Sequence, residues 1–347
     1  MLPPNPGRHR LVAADGRPGG VMRRGQGQRG LARGKETEKM ADWVAELQRT
    51  WPGKLELDCP MARHCTLRVG GLARVLAAPA SIEELALLLQ LLGSLEVPWH
   101  VIGRGSNLLV PDTGYAGVII LLSRNFAAIS PRAAKGGGVA SVRVAAGCGL
   151  MKLVNWCLSQ SLSGLEFAAG IPGSVGGAVA MNAGAWGEEI AGRIEAVTLM
   201  DRKGRLATKA GRELAFSYRR LDLAGQVVVE AEFSLVPGCR EEMEARCRDL
   251  LARRKEKQPQ GLPSAGSFFK NPAAGPAAGK LIEEAGLKGR QIGGALISPK
   301  HANFLVNAGG ATASDFLQLM GLVQAAVEKR SGIRLEPEVR ILTVPVA

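Results

Sequence analysis

The sequence predicts an α+β fold. Short strand-like runs interleave with a few helical ones, without the regular strand–helix alternation of a doubly wound parallel sheet. A second observation is the stretch Gly164–Gly187 (GLEFAAGIPGSVGGAVAMNAGAWG), in which six of the first fourteen residues are Gly or Pro. Gly is costly in helices and strands and Pro removes a donor, so no regular element is expected there. Its glycines alternate with Phe167, Ile171, Val175, Val179 and Met181. That argues for a buried turn holding bare backbone N–H groups against a phosphate rather than for a flexible loop. Third, a highly charged helical run begins at Cys239, which puts a domain boundary near Pro237.

A chain of 347 residues accommodates two or three domains. Of the net charge of +13, roughly half lies in residues 1–40, which hold nine Lys/Arg against three Asp/Glu. The moderately basic remainder suits anionic ligands such as nucleotides, and with no RNA- or DNA-binding signature a nucleic-acid partner is not expected. Residues 1–40 are rich in Gly and Arg and lack apolar periodicity, so they read as a disordered basic extension or the product of an upstream start codon. No apolar signal-peptide core is present, and no run approaches the ~20 apolar residues of a membrane span. A soluble cytoplasmic protein is expected. The six cysteines form no C-x-x-C pair, and His9, His64, His100 and His301 are too scattered for a ligand cluster by spacing. Neither a disulfide framework nor a metal is expected.

Along the chain, Asp42–Trp51 has helical spacing, with Trp43, Leu47 and Trp51 on one face. Ser81, with Glu84 three residues on, marks a capped helix to about Leu92. Pro98–Ile102 reads as a strand and runs into a second Gly-rich turn, Gly103–Leu109 (GRGSNLL). This turn is not the dinucleotide fingerprint, because the third glycine is missing, and Gly275–Leu281 is a residue short of a P-loop. Two such turns in one chain can nevertheless grip one diphosphate. Strands are expected at Gly117–Leu122, Val139–Ala146, Ile194–Met200, Arg205–Lys209 and Val227–Leu235, and a helix at Met151–Ser159. In Cys239–Lys257, acidic residues come first and Arg253, Arg254, Lys255 and Lys257 last, matching the helix dipole and suggesting a solvated face. Further on come a helix at Ala277–Ala285, strands near Gly294–Ser298 and Asn303–Val306, a helix from Ser314 to Lys329 and a final strand opened by Glu336–Arg340.

GRGSNLL, the Gly164–Gly187 stretch, Tyr218-Arg219, Gly266–Pro272 (GSFFKNP), Ser298–Asn307 (SPKHANFLVN) and Leu335–Val339 (LEPEV) occur in this order from Met61 to Leu342. In this the chain resembles the UDP-N-acetylenolpyruvoylglucosamine reductase family, and its shorter, type II-like subclass in particular. GSFFKNP and GIPGSVGG together are highly specific. The resemblance implies a two-part FAD-binding domain of the vanillyl-alcohol-oxidase type (residues 41–122 and 123–237) and a C-terminal substrate-binding domain (238–347). It also implies noncovalent FAD, NADPH as hydride donor and UDP-N-acetylglucosamine enolpyruvate as substrate; the sequence does not show the oligomeric state, and a monomer is the expectation.

By the same resemblance, Arg219 and Glu338 stabilise a developing enolate and Ser267 donates the proton. The flavin would be held by Gly103, Arg104, Gly105, Ser106, Asn107 and Leu108 of the first turn. From the second come Gly170, Ile171, Pro172, Gly173, Ser174, Val175, Gly177 and Ala178. Lys257, Lys270 and Asn271 would reach substrate, and His301 would serve the strand pair near Asn303. The sequence departs from the family at Leu221, Trp186 and Cys65, where Ser, Tyr and Thr are usual. Between Arg219 and Ser267 there is no tyrosine, so the closing loop of the longer subclass is absent and another group must shield the site. Two other classes remain open on sequence: an oxidase of the same fold with another substrate, and a catalytically inactive nucleotide-binding protein.

Overall fold

The computed structural model describes residues 43–133 and 139–343, so the expectations for residues 1–40 lie outside the described residues. Residues 46–347 form one compact unit. Helix α1 covers 43–50, and Leu47 and Trp51 are buried. Helix α2, Ile82–Ser94, starts where its cap predicts: Ser81 Oγ accepts from the Glu84 N–H. The Glu84 carboxylate reaches one residue further back than a standard capping box, to the Ala80 N–H at 2.8 Å.

Three sheets carry the fold. The first is mixed, in the order Lys54–Pro60, Leu72–Ala78, Tyr115–Leu121, Trp99–Ile102. Only its first pair is antiparallel. The second is fully antiparallel, in the order Leu206–Ala210, Ile194–Met200, Val227–Ser234, Val139–Ala145, Ile129–Ala133. The third is antiparallel too, in the order Ser264–Ser267, Phe304–Asn307, Ala295–Ile297, Gln291–Ile292. The remaining helices are α3 (Leu150–Ser159), α4 (Val175–Ala180), α5 (Arg240–Lys257), α6 (Ala278–Glu284) and α7 (Ala313–Ser331). Helix α7 opens with a full capping box, Thr312 with Asp315, and stops at left-handed Gly332 (φ 71°).

One expectation fails. The Gly-rich stretch was expected to hold no regular element, yet Val175–Ala180 is helical. Two things offset the low helix propensity of Gly. Ser174 caps the helix by accepting from the Gly177 N–H, and the bare face of Gly176 lets it lie close on the second sheet. A Cβ on Gly176 would meet that of Ala146 at 2.7 Å.

Two of the buried clusters belong to the first and third sheets. In the larger, Phe268 stacks on Phe316 with ring centroids 6.2 Å apart and planes 9° from parallel. Cys65, Leu67, Val69 and Leu109 from the first part of the chain join that cluster. Leu108–Leu109 also pairs in parallel with Arg340–Ile341, tying the turn after the Trp99–Ile102 strand to the end of the chain. Both rings are fully buried, so Phe316→Ala should cost about 3–5 kcal/mol. Urea unfolding of the two proteins measures this.

Candidate active site

The two Gly-rich turns meet. Ser106 Oγ donates to the Pro172 carbonyl at 3.0 Å, and a Cβ on Gly103 would overlap Ser174 Oγ. Gly105 is left-handed (φ 59°), and a Cβ there would overlap the His64 carbonyl. Among the described residues, no backbone carbonyl accepts from the amides of Gly103, Arg104, Gly105, Ser106 or Asn107. Five successive N–H groups without a backbone acceptor, on a turn pressed against a helix-opening loop, form a cradle of the kind that suits an anion.

The cradle lies on a cleft. One cavity of about 730 Å³ is lined by Gly103–Leu108, Gly170–Ser174, Gly177 and Ala178, and also by Arg219, Lys257, Ser267, Asn271 and Glu338. A neighbouring cavity of about 910 Å³ shares His100–Gly103, Ser174, Gly177, Ala180 and Arg340 with it. The two share these wall residues and together make a trough with room for a dinucleotide such as FAD. Of the residues expected at the cofactor, only Val175 is off the wall: it is fully buried beneath it.

Arg219 occupies a two-residue hairpin loop between Phe216–Ser217 and Arg220–Leu221 and takes a left-handed conformation (φ 57°). That conformation, costing on the order of 1–3 kcal/mol, aims the guanidinium inward. Its Nε lies 3.3 Å from a Glu338 carboxylate oxygen, and Nη2 donates to the Gly184 carbonyl at 3.0 Å. The Arg219 guanidinium also approaches the Tyr218 ring at 4.9 Å. Each side chain of the Arg219–Glu338 pair is only 18% exposed. Burial raises the Glu338 carboxyl above its ordinary range, against the pull of Arg219 and Lys270.

Ser267 ends the first strand of the third sheet, and the bridge between Phe269 and Pro337 draws Glu338 alongside that strand's end. Asn107 locks the arrangement: its Nδ2 donates to the Glu338 carbonyl at 3.0 Å, while its own carbonyl accepts from the Arg340 N–H at 3.1 Å. The cofactor turn and the Glu338 segment are therefore one hydrogen-bonded unit.

The other expected site residues divide. Lys257 lines the cleft at the end of α5. Lys270 does not: it pairs with Glu336 at 2.5 Å and faces an adjoining cavity of about 400 Å³ with Arg219 and Glu338. Asn271 lines the cleft, and its Oδ1 accepts from the Ala278 N–H at the start of α6. His301 accepts at Nδ1 from the Asn303 N–H and meets Phe304 edge-on. Of the departures, Leu221 is buried, Cys65 donates to the Val69 carbonyl and Trp186 is 39% exposed.

Sequence reading missed several wall residues. Arg254 was assigned to a solvated face, but it lines the cleft, lies over the Trp186 ring at 5.9 Å and has a buried Nε with no partner. Its spacing of three from Lys257, which places both on one helix face, was the available signal. His100 also faces the trough, where burial, helped by Arg340, pulls its pKa down to about 4 and keeps it neutral. The histidines stay apart from one another, but the His64 ring nitrogen lies near Glu56 and Cys59. Among the described residues no helix is long and apolar enough to cross a membrane.

Comparison with known proteins fits this geometry. Residues 73–209 match the profile of an FAD binding domain, and residues 258–342 match that of the UDP-N-acetylenolpyruvoylglucosamine reductase C-terminal domain. The fold and the trough are those of an FAD-dependent oxidoreductase. UDP-N-acetylenolpyruvoylglucosamine reductase of Syntrophus aciditrophicus is 44% identical over 298 residues, covering 86% of this chain and 95% of that one. The enzyme of the same name from Geotalea uraniireducens is 44% identical over 84% of this chain and 95% of its own. A crystal structure of the Thermus caldophilus reductase superposes with a TM-score of 0.71 at 37% identity, over 84% of this chain and 99% of that one. The chain belongs to the UDP-N-acetylenolpyruvoylglucosamine reductase family.

Two outcomes are expected at this site. Gly105→Ala should purify without flavin, because the added carbon collides with the His64 backbone; the ratio of visible to ultraviolet absorbance reads this out. Glu338 holds its proton to higher pH in the folded protein than in the unfolded chain, so folding binds protons above the ordinary value of 4.5. Stability therefore falls as pH rises from there through the raised value. Glu338→Gln removes that titration and should lose less stability than the parent across the window in urea unfolding; equal losses would mean an ordinary Glu338.

Proposed function

We propose that the protein is the NADPH-dependent reductase that converts UDP-N-acetylglucosamine enolpyruvate to UDP-N-acetylmuramate, a peptidoglycan precursor. The observation that carries this reading is the largely enclosed Arg219–Glu338 pair, lining with Ser267 a trough whose other wall is the cradle of free N–H groups. In this reading, residues 41–122 and 123–237 hold the cofactor and residues 238–347 cover the substrate. The enzyme works as a monomer in the cytoplasm.

The chemistry that FAD supplies when bound is relay of a hydride from NADPH to the terminal alkene carbon of the enolpyruvyl ether. Negative charge then grows on the adjacent carbon and spreads into the substrate carboxylate. Arg219, fixed by Gly184 and Glu338, presents a preorganised cation to that charge. Glu338, whose carboxyl is biased toward its protonated form, supplies a hydrogen bond to the same enolate. Ser267 gives its proton to the carbon, a step made feasible by the strong basicity of the carbanion and by the neighbouring cation. Lys257 and Asn271 line the same cleft and serve to hold the substrate's phosphates and sugar, and Lys270 acts from the adjoining cavity.

The visible spectrum under anaerobic conditions tests the reading. NADPH should bleach the flavin, and the enolpyruvyl nucleotide should restore the oxidised spectrum without oxygen. Bleaching without recovery would leave an oxidoreductase with another acceptor. Ser267→Ala should keep flavin binding and bleaching by NADPH, yet slow recovery by at least ~10²-fold. An unchanged recovery rate would remove Ser267 from the proton-donor role.

A further inference from the structure

A second convergence of reactive groups lies outside the trough. A Glu56 carboxylate oxygen, Cys59 Sγ and a His64 ring nitrogen all lie within 4.8 Å of one another, the one such His/Cys/Asp/Glu group among the described residues. A regular strand would send residues 56 and 59 to opposite faces. Asp58 prevents that by taking a left-handed conformation (φ 47°) inside Lys54–Pro60, where the register passes from Leu57 with Val75 to Cys59 with Ala73. Its own carboxylate is held apart from the cluster, accepting from Arg74 Nη1 at 2.8 and 2.9 Å. The short 3₁₀ turn Met61–Arg63 then folds the chain back, with the His64 N–H donating to the Met61 carbonyl at 2.9 Å.

The donor set is one sulfur, one imidazole nitrogen and one carboxylate oxygen. This mixture suits a borderline-soft ion of tetrahedral habit and does not suit calcium or magnesium, which take oxygen ligands. Cys59 is fully buried, while Glu56 and His64 are half-buried. The site is therefore walled by the core on one side and open to solvent on the other, giving an ion a route in.

We propose that Glu56, Cys59 and His64 bind one zinc ion, with water as the fourth ligand. The ion acts as a structural clip. The His64 carbonyl is the group that a Cβ on Gly105 would overlap, and the Thr66 N–H donates to the Gly105 carbonyl at 3.1 Å. Zinc on His64 thus fastens the underside of the cofactor turn to the edge strand Lys54–Pro60, outside the reaction itself.

The test uses the full-length, flavin-loaded protein. It is incubated with zinc sulfate and desalted, after which zinc and flavin are both quantified, and a zinc-edge X-ray absorption spectrum is recorded. The parent should retain one zinc per chain, with one sulfur in its ligand shell, and its thermal midpoint should rise with zinc. Glu56→Gln and His64→Ala should lose the ion and the shift. Glu56 is half-buried on an edge strand and its variant is isosteric, so that variant should fold with full flavin content even if His64→Ala does not. Cys239→Ser, which removes the exposed thiol elsewhere, should behave as the parent. No retained zinc, a sulfur-free shell, retention unaffected by Glu56→Gln or retention abolished by Cys239→Ser would each overturn the proposal.

Discussion

The closeness of two backbone turns governs this structure. Gly103 and Ser174 approach so tightly that no side chain fits between them, and Ser106 bridges to Pro172 across the gap. Everything needed for that approach is local: glycine where a carbon would collide, a capping serine, and a short helix flush with the second sheet because Gly176 has no side chain. The benefit is a row of amide N–H groups whose dipoles are already aligned before any ligand arrives, so little reorganisation is left to oppose binding.

Charge follows the same logic of prior placement. Arg219 is held in a left-handed hairpin position by Gly184, Glu189 and Glu338, and the Glu338 carbonyl is held in turn by the side-chain amide of Asn107. A cation with three anchors, the Gly184 carbonyl and the carboxylates of Glu189 and Glu338, stays put when Glu338 changes protonation. The buried pair need not stabilise the fold, since burial disfavours both charges; its value lies in having an oriented cation next to a carboxyl that is reluctant to ionise.

Much of this was legible in the sequence where local rules act alone. Ser81 announced α2, the dipole-matched charges announced α5, and the two Gly-rich runs announced turns that meet. What was not legible depended on tertiary contacts. Helix α4 defeats its own propensity because a neighbouring sheet rewards the absence of side chains at Gly176. Arg254 looks solvated in a charged helix and becomes a wall residue only because Trp186 and Gly170 close on it. Glu56, Cys59 and His64 have no recognisable spacing, since their meeting hinges on one left-handed residue, Asp58. Lys270 carries a motif position yet spends its charge on Glu336, a choice made by side-chain geometry that no pattern encodes.

The parallel pairing of Leu108–Leu109 with Arg340–Ile341 also sets an order of events. The strand that steadies the cofactor turn comes from the far end of the chain, so its loop-closure entropy is among the largest in the fold. During synthesis the first sheet can form while residues 340–341 are still absent, and the turn beside it then has its contacts to Thr66 and Pro172 but lacks the pairing with Arg340–Ile341. The last strand to brace this turn is thus also among the last to be synthesised.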